Sequence, residues 1–171
     1  MTGSVVSKNL IRNSNQRCVV VHGTDNLVVE DNVAYNTAGH CFMTEDGIEQ
    51  GNVFLYNLGA LTRKVDTIIP DSGSNGEESD NLPSTFWMTN PSNVWVGNVA
   101  AGSEDNGFWM ELIKRGPRAD MYSFDPKYEP LGRFENNVAH SNADVSSGTL
   151  CNSLFLQPSL LSSHHSTIEF T

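Results

Sequence analysis

A three-residue pattern, any residue followed by Asn and an apolar residue, recurs along the chain as Lys8-Asn9-Leu10, Asp31-Asn32-Val33, Gly51-Asn52-Val53, Gly97-Asn98-Val99 and Asn136-Asn137-Val138. The anchoring asparagines lie 23, 20, 46 and 39 residues apart. Each copy opens a short strand-like stretch, too small to bury a hydrophobic face alone, so the copies must stack on one another. The first two intervals match one turn of a parallel β-helix, and the last two match one turn plus an inserted loop. Stretches rich in turn formers supply the surplus at 66–83 (with DSGSNGEESDNLP) and 113–130 (with KRGPRADMYSFDPKYEP). The expected architecture is all-β: a parallel β-helix solenoid of five to six rungs over residues 1–142. A Ser-rich irregular tail follows at 143–171. Asn tolerates the left-handed region that tight corners need, so Asn9, Asn32, Asn52, Asn98 and Asn137 are read as a corner ladder, not as ligands.

Composition excludes the main alternatives. Of 171 residues, 38% are apolar, 18% are charged and 18 are asparagine, which is wrong for a coiled coil and too apolar for disorder. The net charge of −10 repels nucleic acid and anionic membranes. No apolar run reaches the ~18 residues of a membrane span. Met1-Thr-Gly-Ser carries no secretory signal pattern.

Ten residues past each anchor stand Val19, Phe42, Thr62, Phe108 and Ser147, and Phe86 heads a further copy of the Phe-Trp-Met pattern. Strand side chains alternate, so Phe42, Phe86 and Phe108 are expected to stack inward, with Val19, Val21, Met88 and Met110 nearby. The same parity buries Lys64, at a cost that an unpaired charge cannot meet. The register is therefore insecure within the third rung.

The opposite parity carries the chemistry. His22, Glu45, Val65, Glu111 and Leu150 lie thirteen past the anchors, with Thr89 from the extra copy; Val20, Met43, Arg63 and Trp109 lie eleven past, with Trp87 from the copy. Stacked about 4.8 Å apart, they form a stripe of acids, an imidazole, indoles and a guanidinium. Such a mixture suits a carbohydrate groove, with flat faces for sugar rings and acids for glycosidic chemistry. Glu45 and Glu111, two rungs apart, have backbones roughly 10 Å apart. That is too far for a retaining pair and near the upper limit for an inverting one. Asp46 or the loop carboxylate Asp66 can lie nearer Glu45. Candidate catalytic residues are Glu45, Asp46, Glu111, His22 and His40. Candidate substrate-binding residues are Arg63, Lys64, Trp87, Asn90, Trp109, Lys114 and Arg115, with Arg118 in the same basic cluster.

Plainer readings stand beside these. Glu45-Asp46-Gly47 also reads as a solvated turn, His40 as a turn cap, and the two indoles as packing beneath loops. His140 reads as structural, and His164 and His165 carry no assignment. Cys18 and Cys41, each nine past an anchor, fall on neighbouring rungs, where either a bridge or two packed thiols is possible. No compact metal-ligand spacing occurs; calcium on the acidic loop 66–80 is the one cofactor considered.

The segments RCVVVHG (17–23), GHCFMTEDG (39–47), STFWMTNPSN (84–93), AAGSEDNGFW (100–109) and PLGRFENNVAHSN (130–142) together resemble the β-helical region of the cell-surface hyaluronidase family. Fibrocystin-L is a more distant likeness, and the resemblance runs over roughly 5–142. It implies a right-handed parallel β-helix from an extracellular or cell-surface parent that binds and depolymerises hyaluronan as a glycoside hydrolase. The HC-F-x-T-E-D-G block falls on His40, Cys41, Phe42, Thr44, Glu45, Asp46 and Gly47, and the Arg-Cys and His-Gly elements on Arg17, Cys18, His22 and Gly23. The alternative it leaves is a non-catalytic, fibrocystin-like receptor or adhesion module. A pectin-type lyase, which wants a basic catalytic residue and usually calcium, is the third reading. A solenoid cut mid-stack exposes strand edges and core, so the isolated piece is expected to be poorly stable and inactive.

Overall fold

The computed structural model describes residues 3–67, 82–112, 114 and 123–143, and the backbone alone of 150–151 and 154–156. The chain winds through three parallel sheets. The first is built from β1 (Val5–Ser7), β4 (Val28–Glu30), β7 (Val53–Leu55), β10 (Val94–Val96) and β13 (Phe134–Glu135), stacked in that order. The second stacks β2 (Leu10–Arg12), β5 (Val33–Ala38), β8 (Leu58–Arg63), β11 (Val99–Ala101) and β14 (Val138–His140). The third stacks β3 (Val19–Val21), β6 (Phe42–Thr44), β9 (Ser84–Met88), β12 (Asn106–Met110) and β17 (Leu154–Leu156). Consecutive strands go to successive sheets, giving five rungs among the described residues: a parallel β-helix. A small antiparallel pair, β15 (Asn142–Ala143) with β16 (Leu150–Cys151), stands outside the three sheets. The helical content of the described residues is a 3-10 turn at Pro126–Tyr128, begun by Asp125, whose carboxylate accepts the Lys127 N–H.

In-register stacking fills the interior. Phe42, Phe86 and Phe108 lie face to face, with centroids 5.1 and 4.7 Å apart and planes within 12° and 9°. Val29, Phe54, Trp95 and Phe134 form the facing column, and Phe54 and Trp95 stack at 3.8 Å. The second sheet turns small residues inward at the same levels: Ala34, Gly59 and Ala100. They make room for the aromatics; a Cβ on Gly59 would run into Thr85 Cγ2 and touch Phe42. The inward set expected from sequence, with Val21, Met88 and Met110, is therefore the core.

The third rung departs from the expected register. The corner ladder runs Asn9, Asn32, Asn57, Asn98, Asn137: each of the first four donates both its backbone N–H and its Nδ2 to the next one's Oδ1, at 2.9–3.2 Å. Asn52 belongs one corner earlier. Its Oδ1 accepts the Leu27 N–H and its own N–H donates to Asn93 Oδ1. Both corners satisfy the Asn-apolar pattern, so counting from Asn52 displaced the third rung by one strand. Thr62 consequently sits in β8 opposite Thr37, and Arg63 opposite Ala38, in the second sheet. The third-sheet place belongs to β9, beyond the 66–83 insertion. Leu150 is likewise off the stripe, in β16, and Ser147 lies outside the described residues.

Candidate functional site

The outer edge of the third sheet gathers the ionisable groups. Strand register places Val20, Met43, Trp87 and Trp109 in one column, and the residues leaving the strand ends are His22, Glu45, Thr89 and Glu111. At the first two rungs these ends meet. The His22 imidazole Nδ1 stands 2.8 Å from Glu45 Oε2, and its Nε2 stands 3.7 Å from Asp46 Oδ2. One histidine thus spans two adjacent carboxylates. Arg17 approaches from the other side, Nη1 lying 3.8 Å from Glu45 Oε1 and against the Met43 sulfur. The His22 side chain is 58% exposed, Glu45 19% and Asp46 5%, so a large ligand would meet His22 first and Glu45 beneath it. The hydrogen bond to Glu45 raises the His22 pKa above its ordinary 6.5; partial burial opposes this, and the charges of Asp46, Glu45 and Glu49 add to it.

The local chain explains this convergence. Arg17 takes a left-handed conformation (φ 55°) and its N–H donates to the Ala38 carbonyl at 2.7 Å. A disulfide joins the next residue, Cys18, to Cys41, with Cα atoms 4.5 Å apart. It ties β3 to β6 one residue ahead of the stacked Val19–Phe42 pair, so the strands that carry His22 and Glu45 start from a fixed register. The open choice between bridge and free thiols resolves to the bridge.

Beneath the exposed groups lies Glu49, fully buried. Its Oε1 accepts the N–H groups of Gly23 and Asp46, each at 3.0 Å, and its Oε2 that of Gly47 at 2.9 Å. Burial raises its pKa above 4.5; the amides of Asp46, Gly23 and Glu49 itself oppose this, and the Asp46 charge reinforces it. Sequence reasoning missed Glu49, and it gave Arg17 no role beyond its place in the Arg-Cys element. Glu49 offered only its place two residues after Gly47, and Arg17 only its place beside a cysteine.

Of the remaining candidates, His40, Trp87, Trp109 and Glu111 form a second contiguous group, and the others lie apart. His40 is buried: its Nδ1 accepts the Ser84 N–H at 3.1 Å, and its ring stacks on Trp87 and meets Trp109 edge-on. Trp87 is 2% exposed and donates Nε1–H to Glu111 Oε2 at 3.2 Å, so it offers no free face to a sugar ring. Trp109 is half-buried. Asn90 is buried within its own turn, with Nδ2 donating to the Gly47 carbonyl and Oδ1 accepting from Ser92. Arg63 and Lys64 are not on this sheet: Arg63 Nε donates to Asn36 Oδ1, and the Lys64 backbone N–H donates to Glu104 Oε2. Glu111 leaves β12, two strands from Glu45, as expected from the spacing. Lys114 is half-buried, and Asp66 is exposed at the start of the first insertion. Arg115 and Arg118 lie outside the described residues, as does most of the acidic loop 66–80 considered for calcium. Among the described residues no group of His, Cys, Asp and Glu is arranged to hold a metal, and no helix is long and apolar enough to cross a membrane.

Chemically, the cluster pairs a titrating imidazole with a partly shielded carboxylate, the arrangement general acid–base catalysis uses. A family model described as the CEMIP beta-helix matches residues 1–147. The human cell migration-inducing and hyaluronan-binding protein is 41% identical over 154 aligned positions, covering 77% of this chain and 11% of that protein. A cell surface hyaluronidase of Danio rerio is 40% identical over 153, with the same coverages. Fibrocystin-L of Mus musculus is 37% identical over 142, covering 81% of this chain and 3% of that protein. The chain thus spans about a tenth of the length of the first two.

Proposed function

This chain belongs to the CEMIP β-helix family, and on that premise we propose that it forms the polysaccharide-contacting wall of a cell-surface protein that binds and depolymerises hyaluronan. The observation that supports this best is the His22–Glu45–Asp46 cluster, held at the partly exposed edge of a rigid sheet. Glu45 is the acid–base group, His22 supplies or takes up its proton, and Arg17 holds the carboxylate in place. The polymer runs across the rungs along this edge, with Trp109 and Lys114 further along it. Glycosidic chemistry uses a pair of carboxylates flanking the scissile bond, and on this reading Asp46 is the second carboxylate beside Glu45. A protonated His22 favours an anionic uronate nearby. Any calcium requirement is assigned, on this reading, to the acidic loop 66–80.

The test is the size profile of high-molecular-mass hyaluronan incubated with this chain and with a chain extended at both ends, with and without calcium. Glu45→Gln should stop shortening of the polymer while the protein still retains it on a column.

One observation favours a second reading, a non-catalytic adhesion module. Both Glu45 oxygens face basic groups, Arg17 and His22, as they would in a purely structural polar cluster. On that reading neither chain shortens hyaluronan, and Glu45→Gln changes retention alone.

A further inference from the structure

We propose that Glu49 is a positioning residue: its buried carboxylate fastens the turn carrying Glu45 and Asp46 to the corner carrying His22, and so sets the His22–Glu45 pair. The proposal rests on the reading of that pair as the reactive one, and it adds what holds the pair together.

The geometry behind it is specific. A single oxygen, Oε1, accepts the N–H of Gly23, next to His22, and the N–H of Asp46, next to Glu45. The two amides lie on neighbouring rungs and flank the 2.8 Å side-chain pair. The second oxygen takes the Gly47 N–H, so the turn is gripped at two consecutive amides. Glu49 is itself anchored from the third rung, because Asn93 Nδ2 donates to its carbonyl at 2.9 Å and Asn90 Nδ2 donates to that of Gly47 at 3.0 Å. Burying a carboxylate is expensive unless it is well paired. Here its hydrogen-bond donors among the described residues are three backbone amides. That cost is out of place for a turn that only closes a rung; it is intelligible where the turn must present two side chains to the ligand in one register. The charged groups facing the carboxylate are Asp46, which disfavours its ionisation, and His22, whose protonated form it favours.

Position and charge can be separated by experiment. Glu49→Asp keeps the charge but shortens the side chain by one carbon–carbon bond, about 1.5 Å, so from an anchored backbone it cannot hold all three amides. Glu49→Gln keeps the length, removes the charge and sets an NH2 group against one amide. The readout is the titration of His22 by NMR in the full 171-residue chain, with Glu45→Gln marking the value His22 takes when its partner is lost. If Glu49 positions the pair, Glu49→Asp lowers the His22 midpoint from its raised value toward 6.5, and Glu49→Gln does so as well. An unchanged midpoint in Glu49→Asp overturns the proposal, including the case in which Glu49→Gln alone shifts it, since charge then suffices.

Should both variants fail to fold, the wild-type chain still decides. The amide signals of Gly23, Asp46 and Gly47 should shift together with one midpoint above 4.5 as Glu49 titrates, and independent behaviour of the three overturns the proposal. Hyaluronan shortening is followed in parallel. If Glu49→Asp moves His22 while Glu45→Gln leaves shortening intact, the positioning role stands and the catalytic reading of the pair falls.

Discussion

The His40 imidazole lies flat on the Trp87 indole, ring centroids 4.7 Å apart and planes within 6°, while its Nδ1 accepts the Ser84 N–H. Accepting at Nδ1 places the ring proton of the neutral form on Nε2. The histidine therefore joins the corner between β5 and β6 to the start of β9, directly after the 66–83 insertion. His40→Phe keeps a flat ring for the stack and removes the acceptor. Leaving the buried Ser84 amide unpaired should cost about 1–3 kcal/mol, read as a lower urea midpoint. An unchanged midpoint would give His40 no structural part.

The Cys18–Cys41 bridge closes a loop with a sequence separation of 23 residues. On the chain-entropy account a loop of that size contributes about 3 kcal/mol. Reduction, or the paired change Cys18→Ala with Cys41→Ala, should lower stability by roughly that amount. It should also loosen the His22–Glu45 pair, so His22 would titrate nearer 6.5. Equal urea curves with and without reductant would contradict this.

Position within the asparagine ladder should set the cost of breaking it. Asn57 is buried, accepts two hydrogen bonds from Asn32 and donates Nδ2 to the Val29 carbonyl and Asn98 Oδ1. Asn9, at the exposed first rung, donates to Ser7 and Asn32. Asn57→Ala should cost about 3 kcal/mol, because several buried groups lose partners at once. Asn9→Ala should cost well under half of that. Urea unfolding of the two variants side by side decides it.

Stability should fall as pH rises from acid toward alkaline, in two steps. Glu49 has a raised folded pKa, so the folded chain holds a proton that the unfolded chain has released. Stability is then lost as pH climbs from 4.5 through the folded value. His22 is also raised; its contribution is complete below 6.5 and disappears as pH rises through its folded pKa. Glu135 is lowered by Arg133 and has the opposite sign, but that pair is fully exposed and contributes little. Glu49→Gln should flatten the lower step and His22→Asn the upper, as seen in urea midpoints between about pH 4 and pH 8.

Much of the fold could be read from spacing alone, because a solenoid repeats one decision. An Asn that tolerates a corner, followed by alternating apolar residues, can be recognised each time it recurs. The Phe42–Phe86–Phe108 stack and the Trp87–Trp109 column follow from that count. The third rung does not, because two corners per rung carry the same Asn-apolar signature and an insertion separates β8 from β9. Choosing Asn52 over Asn57 moved Arg63 and Lys64 onto the wrong sheet. At the site, His22 and Glu45 were legible as neighbours on one stripe. Glu49 was not, because nothing in a linear sequence separates a buried carboxylate that collects backbone amides from a solvated acid in a turn. Trp87 looked like a ligand-facing group because strand parity reports which way a side chain points, not what packs against it; here it stacks on His40 and donates to Glu111.

If the polymer lies on the edge of the third sheet, chemical-shift mapping of the isotopically labelled chain with a short hyaluronan oligosaccharide shows it most directly. The largest shifts should centre on His22, Gly23, Glu45 and Asp46 and extend to the Trp109 indole, fading in Glu45→Gln less than in a His22→Ala, Arg17→Ala pair. Shifts confined to the outer faces of the first two sheets, around Val5 or Tyr35, with His22 and Glu45 unmoved, would contradict it.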